Sequence, residues 1–174
     1  VTADSAGLII TVDDDTPTAS TVQLTGTVDE DGVTGGLAGG TDDVAGEETV
    51  ASGSVSTLFN SGADAPLSYA LAGNTVDQLM ALGLKSGGEL LSYSVSGDTV
   101  TATKGADTIF TFQLTAAGAY TFTLVGPLDH APGNNENDLA INLGGLIQAT
   151  DADGDSVTAD SAGLIITVDD DTPT

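Results

Sequence analysis

Apolar and small polar residues alternate along two neighbouring segments of the chain. The pattern runs through TIFTFQL at Thr108–Leu114 and again through AYTFTLV at Ala119–Val125. Such alternation indicates strands with one buried face, and the intervening TAAG offers Gly118 for positive φ, so the two segments predict a β-hairpin. The predicted buried faces consist of Phe110, Phe112 and Leu114 on the first strand and Tyr120, Phe122 and Leu124 on the second.

Short strand patterns separated by Gly, Asp and Asn turns fill most of the remaining chain. LLSYSV and TVTAT flank Ser96–Asp98 as a second predicted hairpin. In NTVDQLMALGL, Asn74 and Asp77 suit a helix start but Gly83 and two β-branched residues weaken the helix, so the sequence leaves helix and loop open. The other predicted strands are Gly7–Val12, Thr21–Val28, Leu67–Leu71, Leu139–Ile147 and Val157–Val168.

This pattern predicts an all-β fold. We expect an antiparallel β-sandwich of immunoglobulin-like architecture, because many short strands and almost no helix are typical of that class. A closed barrel is the alternative.

The two ends of the chain carry the same sequence. Val1–Thr18 reads VTADSAGLIITVDDDTPT, and Val157–Thr174 repeats it letter for letter. Shared structural preference alone does not produce such an identity, which indicates one full repeat preceded by the tail of another copy. The repeat is long enough for an independent domain. We therefore expect a tandem array, with neighbouring copies of the repeat as partners and a monomeric chain otherwise.

The linker of this array is predicted at TPT, which follows the acid triplet. Pro17 stiffens the chain there and cannot join a central sheet. On this basis residues 1–15 are the last strand and linker of a preceding repeat, residues 16–171 are a single β-sandwich domain, and residues 172–174 begin the next linker.

Charge narrows the possible partners. The chain has 26 Asp and Glu against 2 Lys and Arg, a net charge of −24, which disfavours nucleic acid and anionic membranes. No apolar run approaches the length of a membrane span, so we expect no membrane insertion.

A mean hydropathy of +0.15 is too high for a disordered acidic tail. The chain should fold once the carboxylates are neutralised. Ca²⁺ takes oxygen ligands and is the predicted cofactor, with several ions expected per domain. Cysteine is absent, so thiolate metal sites and disulfides are excluded.

Five acidic clusters lie between the predicted strands. The clusters DD and EE, Asp42, Asp43, Glu47 and Glu48, are readily explained as solvated surface. NNEND, together with Asp129, is left open between a calcium loop and a turn, so Asp129, Glu136 and Asp138 are secondary candidates. The predicted calcium ligands are Asp13, Asp14, Asp15, Asp29, Glu30, Asp31, Asp151, Asp153, Asp155, Asp169, Asp170 and Asp171.

The order of the strands predicts which of these clusters meet. The linker enters at the pole where the last strand begins, so DADGD, at Asp151–Asp155, should lie near Asp13–Asp15. The first strand ends at the opposite pole, which should bring Asp29–Asp31 close to Asp169–Asp171. Each junction of the array would then gather three acidic clusters, and a cation is needed to hold them together. The simpler interpretation is that the triplets only keep the surface soluble.

The remaining sequence features give weaker indications of function. DADGD resembles the start of an EF-hand loop, but Ser156 stands where that loop needs Gly and Ala162 where it needs Glu, so a helical EF-hand is excluded. His130, the single histidine, is interpreted as structural or incidental. No nucleophile and base pair can be nominated, and no spacing suggests the carboxylate pair of a glycosidase, so we expect no enzyme.

Most of the repeat lies in six segments: Thr27–Gly32, Gly39–Ser54, Ser86–Thr103, Gly118–His130, Asn135–Leu143 and Ala149–Thr174. These segments resemble the tandem extender repeats of giant RTX adhesins, which bacteria export by type I secretion. The resemblance implies a calcium-bound, immunoglobulin-like β-sandwich at a Gram-negative cell surface, exported unfolded and folded by the calcium outside.

The expected function is therefore structural. A calcium-rigidified spacer would hold a distal ligand-binding region away from the cell for surface attachment or biofilm formation. The alternative is a module that binds a glycan or protein through a loop such as Asn134–Asp138. The identical ends favour the spacer, because a spacer needs repeats that stay the same.

Overall fold

The computed structural model describes residues 10–11, 13–37, 46, 48–132 and 137–171. These residues are mostly strand, with one α-helix, α1 (Thr75–Leu82), so the predicted all-β class is confirmed. In chain order the strands are β1 (Thr18–Ala19), β2 (Leu24–Asp29), β3 (Val50–Ser54), β4 (Phe59–Asn60), β5 (Ser68–Leu71), β6 (Lys85–Ser86), β7 (Glu89–Leu90), β8 (Ser92–Ser96), β9 (Thr99–Lys104), β10 (Asp107–Leu114), β11 (Ala119–Leu124), β12 (Leu139–Asn142), β13 (Ile147–Thr150), β14 (Ser156–Thr158) and β15 (Leu164–Asp169).

Both predicted hairpins lie in the largest sheet, an antiparallel sheet of order β3-β11-β10-β9-β8. Phe112 of β10 is opposite Phe122 of β11, and Gly118 turns the chain between them at φ 86°. Phe110, Phe112 and Phe122 are fully buried, and the rings of Phe110 and Phe122 stack with centroids 5.0 Å apart. Burying each such ring contributes about 1.5–3 kcal/mol, so the alternating face identified in the sequence supplies the core.

The first and last strands of the repeat pair in parallel. In the sheet β12-β15-β2, the central strand β15 pairs antiparallel with β12 and parallel with β2, from Leu164 opposite Leu24 to Asp169 opposite Asp29. This parallel pair departs from the expected antiparallel architecture, but it agrees with the strand-order argument, which placed the starts of the two strands at one pole. Most of the chain separates the two strands, so no hairpin turn forces them to run in opposite directions. As a consequence, both strands end at the same edge.

Two segments predicted as single long strands are each divided in two. The turn Gly144–Leu146 separates β12 from β13, and the turn around Asp160 separates β14 from β15. The Oδ1 atom of Asp160 accepts the Ala162 N–H at 2.8 Å, and its carbonyl accepts the Gly163 N–H at 2.8 Å. In each segment one half lies in the sheet β12-β15-β2 and the other half lies in the sheet β14-β13-β5. The local alternation of residues does not reveal this change of sheet.

Gly26 marks the close approach of β2 to the large sheet. A Cβ atom at this position would lie 2.9 Å from the Ala51 Cβ on β3 and 3.8 Å from the Tyr120 hydroxyl on β11. Ile166 of β15 is fully buried on the same side of β2. The apolar core therefore lies between the sheet β12-β15-β2 and the large sheet.

Helix α1 settles the segment that the sequence left open. Asn74 occupies the N-cap position, but its side chain caps no backbone N–H and its Oδ1 instead accepts the Gln78 amide at 2.8 Å. Gly83 ends the helix in the left-handed conformation at φ 65°, which glycine adopts without strain. The buried Leu79 anchors the helix in the core.

The chain before β2 lies against the rest of the structure. Pro17 is buried, and β1 pairs with the two-residue strand β4. The predicted strand Gly7–Val12 lies mostly outside the described residues; Ile10 and Thr11, which are described, are in no strand. Asp15 Oδ2 accepts the Ala63 N–H at 2.7 Å, which fixes the triplet beside the loop before β5.

Candidate metal sites

The turn between β13 and β14 folds around the carboxylate of Asp151. This side chain is buried, and its Oδ1 accepts the N–H groups of Gly154 at 3.0 Å and Asp155 at 2.8 Å. Gly154 has φ 110°, a conformation that a side chain disfavours. The sequence DADGD therefore closes into a tight turn that presents three carboxylates in one place.

Asp14 from the linker joins this turn. Oxygen atoms of Asp14, Asp153 and Asp155 lie within 4.8 Å of one another, as the strand order predicted. Asp151 Oδ2 is buried and receives no hydrogen bond from the part of the chain that the structure describes. We refer to Asp14, Asp151, Asp153 and Asp155 as the Asp151 cluster.

The ionisation of the Asp151 cluster reflects mutual repulsion. Contact with the Asp151 carboxyl, followed by burial and the charge of Asp14, raises the pKa of Asp153 to about 6. Burial and the neighbouring charges of Asp14 and Asp151 raise the pKa of Asp155. Burial also opposes ionisation of Asp151, but the hydrogen bonds that it accepts lower its pKa below the ordinary value. Two ionised carboxylates repel each other, so only a proton or a cation makes the close approach of Asp151 and Asp153 favourable.

A second cluster forms at the edge where β2 and β15 end. A short 3₁₀ turn, Glu30–Gly32, follows β2, and Asp29 Oδ1 caps it by accepting the Asp31 N–H at 2.8 Å. This turn directs the Glu30 carboxylate inward, where its Oε1 accepts the buried Leu128 N–H at 2.7 Å. Glu30 is 2% exposed, which is unusual for a carboxylate.

His130 completes this second cluster. Its Nε2 lies 3.2 Å from Glu30 Oε1, and its Nδ1 lies 2.6 Å from the Asn137 carbonyl oxygen. One oxygen of the half-buried Asp170 lies within 4.8 Å of one ring nitrogen of His130 and one carboxylate oxygen of Glu30. Burial alone would lower the pKa of His130, but its contacts with Glu30 and the Asn137 carbonyl, together with the charges of Glu30 and Asp170, raise it. We refer to Glu30, His130 and Asp170 as the His130 cluster.

The sequence analysis interpreted His130 as structural or incidental, and its contacts with Glu30 and the Asn137 carbonyl agree with a structural role, but the sequence did not place it beside acidic residues. Its single occurrence in a strongly acidic chain was the available signal, but no local pattern links it to carboxylates 100 residues before it and 40 after it. The predicted meeting of Asp29–Asp31 with Asp169–Asp171 does occur, since Asp29 and Asp169 are opposite each other and Glu30 meets Asp170.

The remaining predicted ligands lie in varied settings. Asp13 and Asp138 are exposed, and Asp129 Oδ2 accepts the Gly88 N–H at 2.8 Å. Asp31 and Asp169 are buried, and Asp171 has a buried Oδ1 with no hydrogen-bond partner among the described residues. Glu136 lies outside the described residues, as do Asp42, Asp43, Glu47 and Asn134.

The two clusters differ in ligand chemistry. The Asp151 cluster offers only carboxylate oxygens, the ligands of hard cations such as Ca²⁺. The His130 cluster combines two carboxylates with an imidazole nitrogen, a set that suits borderline transition metals.

Comparison of the chain with protein-family models, curated proteins and solved structures finds no match. Among the residues that the structure describes, no helix has the length and apolar character of a membrane span.

Proposed function

We propose that this chain is a calcium-stabilised spacer repeat of a long bacterial surface adhesin. In this role it holds a distal ligand-binding region away from the cell, for attachment or biofilm formation. The observation that carries the proposal is the position of Asp14: a linker residue lies beside Asp153 and Asp155 of the following domain. Calcium at this point would join linker and domain.

Calcium fits the Asp151 cluster better than other common cations. Its four carboxylates supply enough oxygen atoms for the six to eight ligands that Ca²⁺ takes, and the exposed side chains of Asp14 and Asp153 can adjust around it. Mg²⁺ demands a smaller octahedral arrangement and gives up its water reluctantly. Calcium would also provide the missing partner for the buried Oδ2 of Asp151.

The identical ends of the chain extend the proposal to the joint between repeats. Because Val157–Thr174 repeats Val1–Thr18, Asp170 of one repeat is Asp14 of the next. In an array that keeps both contacts, one aspartate would face Glu30 and His130 of its own repeat and Asp153 and Asp155 of the following repeat. The two clusters would then meet at one joint and restrict its bending.

The same proposal includes an immunoglobulin-like fold, an extracellular position and the absence of catalytic activity. The close approach at Gly26 supports an immunoglobulin-like sandwich of two sheets. The resemblance to extender repeats supports an extracellular position on a Gram-negative cell after type I secretion. A chain of this kind needs no active site, and its partners are neighbouring repeats.

Thermal unfolding followed by circular dichroism tests the proposal. We expect a low midpoint in EDTA, or no folding, and a large rise in millimolar Ca²⁺ that equimolar Mg²⁺ does not reproduce. A ligand present at 1,000 times its dissociation constant stabilises the folded state by about 4 kcal/mol. Equal midpoints in EDTA and Ca²⁺ would overturn the proposal and leave the carboxylates as solvated surface.

A further inference from the structure

We propose that Glu30, His130 and Asp170 form a site for a divalent transition metal such as Zn²⁺, separate in ligand chemistry from the oxygen-only Asp151 cluster. The inference stands on the contacts of His130 and holds whether or not the chain is a calcium-dependent spacer.

The hydrogen bonds of the imidazole ring fix its orientation. The Asn137 carbonyl oxygen only accepts, so Nδ1 carries the hydrogen and donates it over 2.6 Å. In the neutral ring Nε2 then holds a lone pair, which points at Glu30 Oε1 across 3.2 Å. Glu30 Oε1 is an acceptor already engaged by the Leu128 N–H. Two acceptors face each other, and only a proton or a metal ion between them makes the contact favourable.

The spacing of the ligand atoms fits a metal ion. Zinc binds nitrogen and carboxylate oxygen at about 2.0–2.1 Å, so two ligand atoms at a tetrahedral angle lie about 3.3 Å apart. Nε2 and Glu30 Oε1 are 3.2 Å apart, and the half-buried Asp170 can close the third position by a small movement. The arrangement leaves a fourth position for water or another ligand.

The surroundings hold the two buried ligands in place. Metal-binding histidines usually donate their second ring N–H to a carbonyl or carboxylate, as His130 does to Asn137. The Leu128 N–H holds the Glu30 carboxylate in position by donating a hydrogen bond to its Oε1. The side chains of His130 and Glu30 are each 3% exposed, so both are set before a metal arrives. The chain has no arginine to neutralise the carboxylates instead.

Calcium is a poor occupant of this cluster. Ca²⁺ takes oxygen ligands and surrounds itself with six to eight of them, whereas the His130 cluster combines an imidazole nitrogen with two carboxylates. A zinc ion would balance the charge of Glu30 and Asp170 while using the nitrogen.

The single histidine allows a direct test on the unaltered protein. Long-range ¹H–¹⁵N NMR spectra of tag-free protein would be recorded in saturating Ca²⁺, before and after one equivalent of Zn²⁺. We expect the Nε2 resonance to move to a metal-bound position while Nδ1 stays protonated. Unchanged His130 resonances in excess Zn²⁺ would overturn the proposal and show that a proton alone holds the pair.

Two variants at the cluster and one control at an exposed aspartate test the site by affinity. In calorimetric titrations with Zn²⁺ at saturating Ca²⁺, we expect D170N and H130N each to weaken binding at least about tenfold. D107N, which changes an exposed aspartate on β10, should leave it unchanged. Equal affinities of D170N and the unaltered protein, or equal losses in D170N and D107N, would contradict the site. The NMR test stands even where H130N does not fold.

Discussion

Asp14 and Asp170 occupy the same position in two identical segments, yet Asp14 lies with Asp153 and Asp155 and Asp170 lies with Glu30 and His130. Their local sequences are equal, so the difference arises from the parts of the chain outside the repeated segment. Asp170 continues directly from β15, whose parallel pairing with β2 delivers it to Glu30. Asp14 precedes β1, and the neighbouring Asp15 is held by the Ala63 N–H.

Replacement of Asp153 by Asn should have opposite effects with and without calcium. The change removes one charge from a cluster that lacks a side-chain cation, so the unfolding midpoint in EDTA should rise above that of the unaltered protein. In Ca²⁺ the lost ligand should weaken binding and lower the midpoint. Thermal denaturation in both conditions measures the two effects, with D107N, which changes an exposed aspartate on β10, as the control. Identical shifts in EDTA and Ca²⁺ would argue against a shared cation.

Acidic pH should stabilise the metal-free protein. The pKa of Asp153 is about 6 in the folded protein against an ordinary value of 3.8, so the folded state binds more protons between these values. Its contribution to stability therefore falls as pH rises from about 4 to about 6 and does not recover above that range. The raised pKa of Asp155 acts in the same direction, and the lowered pKa of Asp151 acts in the opposite direction only below its ordinary value of 3.8.

Denaturation in EDTA from pH 4 to pH 6.5 measures this trend, and D153N should flatten it, since the raised pKa of His130 acts only above its ordinary value of 6.5. In Ca²⁺ the unfolding midpoint should instead rise with pH near pH 6, because calcium binding requires ionised carboxylates. A metal-free midpoint that rises steadily with pH would contradict the repulsion inferred in the Asp151 cluster.

Replacement of Gly26 by Ala should destabilise the fold by about 1–3 kcal/mol, as overpacked cores do. The added Cβ would lie 2.9 Å from the Ala51 Cβ and 3.1 Å from Ile166 Cδ1, so β2 must move away from its neighbours. Urea denaturation in saturating Ca²⁺ measures the change. Gly73→Ala is the matched control, since a Cβ there meets nothing within 4 Å. A neutral Gly26→Ala would mean that β2 does not pack closely on the large sheet.

Two repeats in tandem should be extended and stiff in Ca²⁺ and bent in EDTA. At their joint a single aspartate takes the places of both Asp170 and Asp14, so its replacement by Asn should loosen the joint while each domain stays folded. Small-angle scattering gives the maximum dimension in each condition, and D107N in both repeats is the control. Equal dimensions in EDTA and Ca²⁺ would exclude a joint stiffened by calcium, even where calcium binds within each repeat.

The sequence by itself determined the local structure of this protein. The alternation of Phe110, Phe112 and Leu114, with Gly118 in the following turn, fixed a hairpin, because side-chain direction and turn conformation depend on adjacent residues. The acid triplets and DADGD were equally visible as candidate ligands. Even the meeting of Asp14 with DADGD followed from strand order.

Only the tertiary structure decided the partners that lie far apart in sequence. Three features depend on packing of the whole core. They are the direct pairing and register of β2 with β15, the division of two long strands between sheets, and the contact of His130 with Glu30 across 100 residues. Local alternation is the same for a strand that stays in one sheet and one that changes sheet. The burial that favours one pairing over another is a property of the assembled fold, which no short segment contains.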